Sequence, residues 1–182
     1  MVEVEVKVSV KNKIYLEEKL LEKGFLKGDL LKESDSYFDS ACHEIREKDM
    51  ALRIRSCENI TRNLTENFMT YKGPKMDKIS MTRKELEMNI ESAETGRDIL
   101  KSLGYIEVPP VVKLRQLFHL DKMTACLDQV ENLGDFLELE IVVAQENEKE
   151  NALDRLISLL YELGYEQEDI IKTSYLSMLE NR

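Results

Sequence analysis

Residues 2–10 read VEVEVKVSV. Side chains alternate across a β-strand, so this stretch has one aliphatic face and one face carrying Glu3, Glu5, Lys7 and Ser9. By itself it describes any half-solvated strand. It decides the fold because the same arrangement returns along the chain with charges of both signs.

Arg53 and Arg55 flank Ile54, and Lys72 follows Tyr71. Arg83, Glu85 and Glu87 share one side of their segment, with Leu86 on the other. Lys113 and Arg115 flank Leu114, and Asp128 stands between Leu127 and Gln129. Glu138 and Glu140 alternate with Leu137, Leu139 and Ile141. The plain reading is a sheet with a wet outer face, where exposed ion pairs contribute ~0–1 kcal/mol each and need no function. The residue types favour an inward face instead. A solvent face tolerates Thr, Ser, Gln and Lys freely, whereas arginines dominate some of these segments and glutamate pairs dominate others. The expected fold class is α+β: a closed β-barrel with a polar interior, its aliphatic outside covered by helices. Buried charge is costly unless paired or ligand-bound, so the interior is expected to be a hydrated tunnel.

Such a tunnel has a restricted chemistry. Arginine offers a planar fork to phosphate, and lysine a point charge. Clustered carboxylates without His or Cys suit a hard ion, Mg²⁺ or Mn²⁺, which commonly binds one or two carboxylates together with substrate phosphates. A metal-bearing triphosphate or polyphosphate matches both halves of the charge set. The chain has no Walker-type loop and no dinucleotide fingerprint.

With 182 residues, one domain spanning 1–182 is expected. The formal net charge of −10 disfavours nucleic acid as the main partner. There is no long apolar run for a membrane span, and the first strand begins too early for a signal peptide. Cys42, Cys57 and Cys126 lack Cys-x-x-Cys spacing and read as reduced thiols of a cytoplasmic protein. His43 and His119 show no ligand spacing.

Hydrophobic period and punctuation place the elements. Asn12 caps a helix to about Lys23, ended by Gly24. Two strand pieces are expected over 25–39, then strands over 50–57, 68–72 and 79–89, with 58–67 a polar loop and 75–78 a basic one. Ser92 caps a helix to about Leu103, closed by Gly104. Strands follow at 111–120, 123–131 and 135–143, the last three joined by short turns. Residues 146–163 form the strongest helix, and 169–179 a short one. The similar phrases at 102–105 and 162–165, and at 53–55 and 113–115, suggest a weak duplication.

Taken in order, these residues resemble the CYTH domain, the triphosphate tunnel metalloenzymes. The resemblance is carried by Glu3-x-Glu5-x-Lys7, Asp35-Ser-Tyr37-Phe38, Ala51-Leu-Arg53-Ile-Arg55, Thr70-Tyr-Lys72-Gly-Pro-Lys75 and Arg83-Lys-Glu85-Leu-Glu87. It continues through Lys113-Leu-Arg115, Leu127-Asp128-Gln-Val-Glu131, Leu133-Gly134-Asp-Phe136, Glu138-Leu-Glu140 and Ser174-Tyr175. Within the family the wording is most similar to class IV adenylyl cyclases. Glu33 and Gln129 depart from it, standing where Gln and Glu are common.

The resemblance implies an eight-stranded antiparallel tunnel that converts ATP to cyclic AMP and pyrophosphate. It implies that Glu5 and Glu140 hold the catalytic Mg²⁺ or Mn²⁺, with Glu3 and Glu138 beside them. Lys7, Arg53, Arg55, Lys72, Arg83, Lys113 and Arg115 would grip the triphosphate. Lys7 and Asp128 join the catalytic candidates, and Glu85, Glu87 and Tyr37 are secondary polar ones. The relatives make a homodimer plausible, and the C-terminal helix would plug one mouth. Two other readings share the same cations: a triphosphatase acting on thiamine triphosphate, tripolyphosphate or a nucleoside triphosphate, and a non-catalytic polyphosphate-binding module.

Overall fold

Val2, Val4, Val6 and Val8 are all buried, on the outward side of strand β1 (Val2–Ser9), in a computed structural model that describes residues 2–40, 44–76 and 80–182. The chain continues as α1 (Lys13–Glu22), β2 (Leu26–Asp39), β3 (Ala51–Asn59), β4 (Leu64–Lys72), β5 (Arg83–Ile90) and α2 (Ala93–Ser102). It ends as β6 (Ile106–Leu120), β7 (Met123–Val130), β8 (Gly134–Val143), α3 (Lys149–Glu162) and α4 (Tyr175–Glu180). Neighbouring strands are antiparallel, and the order β1-β5-β4-β3-β2-β6-β7-β8 closes on itself. This is the expected barrel with helices outside.

The register sets which charges meet. On β1 and β8, Glu5 stands opposite Glu140 and Lys7 opposite Glu138. Arg53 faces Tyr37 and Arg55 faces Asp35 across β2 and β3, and Arg115 faces Asp128 across β6 and β7. The intervening aliphatic residues point outward. Leu16 and Leu20 of α1 and Leu156 and Leu160 of α3 join the valines of β1 and Leu127, Leu137 and Leu139 in the main apolar cluster. Complete burial of each such side chain stabilises by roughly 1.5–3 kcal/mol. A second cluster sets α2 against β2 and β3 through Phe38, Ile54, Ala93 and Leu100. A third sets α4 against Val111, Val130 and Phe136 at one barrel end.

The similar phrases at 102–105 and 162–165 are a shared helix stop. Gly104 and Gly164 lie in the left-handed region, and Tyr105 and Tyr165 donate their backbone N–H to Leu100 and Leu160. Gly24 and Phe25 end α1 in the same way, through Leu20. A common capping solution accounts for the likeness.

Several boundaries differ from expectation. Residues 58–67 are a hairpin rather than a loop: Glu58 pairs with Thr65 and Asn59 with Leu64. Its turn is held by Arg62 N–H on Asn59 Oδ1, with Asn63 in the left-handed region. Its first limb stays paired to β2, but residues 60–66 are exposed on both sides, so it carries no apolar period. β2 is one continuous strand, with its irregularity between Lys27 and Leu30. β6 begins at Ile106, through Pro109 and Pro110, where a second register shift against β2 and the absence of pairing to β7 excuse the missing N–H groups. The tail makes one 3-10 turn over Gln167–Asp169 and is helical again only after Ser174, whose hydroxyl caps α4. The readings placed on Cys42, His43 and Lys78, and the start expected for β5 at Ile79, lie outside the described residues.

Leu156→Ala, at a fully buried contact between α3 and the barrel, is expected to lower unfolding free energy by about 2–5 kcal/mol in urea titration. Ile99→Ala, on the exposed side of α2, should stay within about 0.5 kcal/mol of the parent.

Candidate functional site

The alternating polar residues face one another across a cavity of about 720 Å³. Glu3, Glu5, Lys7, Tyr37, Arg53, Arg55, Lys72, Arg83, Glu85, Glu87, Lys113, Arg115, Glu138 and Glu140 all line it. The expected bore is therefore present, and it is charged.

Its acidic centre is the group Glu5, Glu138 and Glu140, whose carboxylate oxygens lie within 4.8 Å of one another. Among the described residues no other group of three or more His, Cys, Asp or Glu meets this spacing. Burial, reinforced by the charge of Glu138, pushes Glu5 up to about 8. Burial and the charge of Glu3 also hold Glu140 well above the usual carboxylate range, against the pull of Arg115. Glu138 behaves oppositely: burial would raise it, but Arg115, Lys113 and Lys7 outweigh burial and keep it ionised. Two carboxylates on facing strands thus resist ionising together for want of positive charge between them, which is the condition a divalent cation relieves. The oxygen-only donor set fits a hard metal. Glu3 stands apart from this group. Its carboxylate lies 3.6 Å from Lys72, which is bound to Glu85 at 2.6 Å. Burial, against the pull of Lys72, raises Glu85 to about 7.

Most cations are backed by acids that strand register places behind them. Arg55 forks onto Asp35 at 2.6 and 2.7 Å and reaches Glu33 at 3.0 Å. Arg115 forks onto Asp128 at 2.7 Å through both Nε and Nη2, and also bonds Glu138. Lys113 lies 3.3 Å from both Glu33 and Asp128. Asp128 is fully buried beneath these cations and is absent from the cavity lining. Arg53 is the least committed. Its acidic neighbours Asp35 and Glu87 are 3.5 Å away, it donates to Thr70 at 3.1 Å, and its Nε has no hydrogen-bond partner.

The C-terminal segment closes over this network. Lys7, 1% exposed, donates to the Thr173 carbonyl at 2.7 Å and lies 4.1 Å from the Tyr175 ring centroid. Tyr175 donates its hydroxyl to Asp128 at 3.0 Å and packs edge-on against Phe136. The sequence pattern assigns no site role to Tyr175, Asp35 or Glu33. The alternation of Glu33, Asp35 and Tyr37 along β2 was the signal for them. Cys126 lies 3.7 Å from Glu140, its thiol pushed well up by burial. His119 sits on β6 beside Thr124 and Gly28, away from the carboxylates.

Comparison with known proteins matches residues 1–175 to the CYTH domain, and the chain belongs to that family. A Methanocaldococcus jannaschii protein named as a candidate adenylate cyclase is 41% identical over 178 residues, 98% of each chain. The adenylate cyclase CyaB of Aeromonas hydrophila is 28% identical over 148 residues, 81% of this chain and 72% of that one. The solved structure of the Pyrococcus horikoshii protein PH1819 superposes with a TM-score of 0.89 at 36% identity, covering 99% of both chains. A Hippeastrum adenylyl cyclase candidate described as having a dominant triphosphatase activity shares the fold, with a TM-score of 0.65 at 16% identity over 99% of this chain and 95% of that one. Among the described residues no helix is long and apolar enough to cross a membrane.

Burial would raise Glu33, but Arg55, Lys113 and Arg115 hold it down to about 2 from an ordinary 4.5. A carboxylate depressed on folding stabilises above its unfolded value and loses that contribution as pH falls through its folded one. Glu33→Gln should therefore cost on the order of 1–3 kcal/mol at pH 7, with the deficit shrinking as pH falls from 4.5 toward 2. Urea denaturation of both proteins across that window checks the sign.

Proposed function

We propose that this chain is a metal-dependent adenylate cyclase, converting ATP to 3′,5′-cyclic AMP and pyrophosphate inside the bore. The observation that carries the reading is the pairing of a carboxylate group, Glu5, Glu138 and Glu140, with a cationic wall in one cavity. The cyclase names of relatives that cover most of this chain support the choice of reaction.

In this reading Arg53, Lys72, Lys113 and Arg115 hold the triphosphate, and their fixed charges neutralise the pyrophosphate as it leaves. Arg53 makes the most direct contact, since its donors are the least consumed. The backing acids Asp35, Glu33 and Asp128 aim the cations. Asp128 is a positioning residue because its oxygens are already taken by Arg115, Lys113 and Tyr175. The ribose 3′-oxygen attacks the α-phosphorus, the bond from that phosphorus to the bridging oxygen of the β-phosphate breaks, and the hydroxyl proton passes to solvent. Glu5, Glu138 and Glu140 would hold Mg²⁺ or Mn²⁺, which supplies neutralisation of phosphate charge and acidification of the attacking hydroxyl.

The same grip serves a triphosphatase, and the activity described for the Hippeastrum neighbour keeps that reading alive. Purified protein incubated with ATP and Mn²⁺ or Mg²⁺ should release cyclic AMP and pyrophosphate in equal amounts. Orthophosphate with no cyclic nucleotide would replace the cyclase by a hydrolase. Glu5→Gln should lower turnover by about 100-fold or more, whereas a mere binding module would show no turnover to lose.

Arg53 and Arg55 should separate by their readouts. Arg53→Lys should weaken tripolyphosphate binding about tenfold with little change in thermal midpoint. Arg55→Lys, which loses the fork to Asp35, should cost about 1–3 kcal/mol of stability.

A further inference from the structure

One barrel end gathers the connection from β2 to β3, the connection from β4 to β5, and α4. Residues 44–49 form a single turn there, with Glu44 and Asp49 both in the left-handed region at φ 49° and 54°. Two clasps hold this turn. On one side Arg46 donates to Glu180 of α4. On the other, Asp49 accepts three bonds: from the Lys75 backbone N–H at 2.9 Å, from the Lys75 ammonium at 3.1 Å and from the Arg83 guanidinium at 2.9 Å. Arg83 also donates to the Asp49 carbonyl and, at 2.7 Å, to that of Gly73. Arg46, Asp49, Lys75 and Arg83 all line the bore cavity.

The two sides of the second clasp differ in how firmly they are built. The Arg83 side chain is 10% exposed and anchored on β5, whereas the Asp49 side chain is 45% exposed on a one-turn connection. A guanidinium, an ammonium and a backbone N–H converging on one anion form the donor set that a phosphoryl group takes. A nearly buried arginine left without an anion would be costly, and the Asp49 carboxylate answers it. Burial works against the Asp49 charge, but the bonds from Lys75 and the charge of Arg83 outweigh it and hold this carboxyl below its ordinary value.

We propose that Arg83 with the ammonium and backbone N–H of Lys75 forms an outer anion subsite at the mouth of the bore. Asp49 is its built-in occupant, and a phosphoryl group of an incoming oligophosphate displaces it and releases the turn 44–49. The subsite rests on the bore being a triphosphate site, and it is independent of whether the reaction is cyclisation or hydrolysis. Asp49 acts by competition: every anion bound there must first outbid a carboxylate already in place.

The test is calorimetric titration of the whole protein with inorganic tripolyphosphate. Asp49→Asn keeps the size of the side chain and tolerates the left-handed backbone. It should bind about 3–30-fold tighter than the parent, because the competing charge is gone. Lys75→Met should bind more weakly, and Asp49→Asn should gain less in that background. Amide exchange of residues 44–49 should quicken when the parent is saturated with tripolyphosphate. If the parent binds but Asp49→Asn binds no tighter, the proposal is overturned. Unchanged affinity of Lys75→Met overturns it too, and decides the matter if Asp49→Asn does not fold. Failure of the parent to bind tripolyphosphate at all overturns the phosphate reading of the bore, and the subsite falls with it.

Discussion

Charge removed from water must meet opposite charge, and the interior of this barrel depends on that constraint. Arg55 on Asp35 and Arg115 on Asp128 are bidentate pairs whose carboxylates are buried, set face to face by strand register. Removing one partner of such a pair would strand a buried ion, at a cost of about 3–5 kcal/mol. The pairs therefore commit the barrel to a single register. A slip of one residue would turn each charge into the aliphatic cluster outside and each valine of β1 into the bore.

The same constraint divides the interior into settled and unsettled parts. Asp35, Glu33 and Asp128 are consumed in holding cations. Glu5 is not, and Glu140 meets Arg115 only at 3.5 Å; burial with repulsion from neighbouring carboxylates, Glu138 on Glu5 and Glu3 on Glu140, lifts both above the ordinary carboxylate range. Arg53, with an unpartnered Nε, is their cationic counterpart. Both kinds of incompleteness within a rigid surround suit the polyanion and cation proposed above.

The wall and its closure are one mechanical unit. Lys7 lies on the first strand, yet its ammonium holds the chain at Thr173, and Ile171 donates its backbone N–H to the Lys7 carbonyl at 2.7 Å. Tyr175 joins that segment to Asp128, and so to Arg115 and Lys113. The segment at this mouth is thereby tied to the cations that line the bore.

Alternation alone separated the charged face from the aliphatic one on β1, β3, β5, β6 and β8, because a strand has only two sides and the chain assigns each a chemistry. The helices and their glycine stops were equally legible, since capping is local. The hairpin over 58–67 was hidden because both of its faces are wet, and the early start of β6 because its prolines are tolerated only at a register shift. Which charges are spent and which are open could not be read in one dimension. Glu3 and Glu5 are two residues apart on one face, yet Glu3 is answered by Lys72 while Glu5 meets Glu140 from β8. That difference comes from barrel closure, which brings the first and last strands side by side and leaves partners far apart in the chain to decide the charge of each carboxylate.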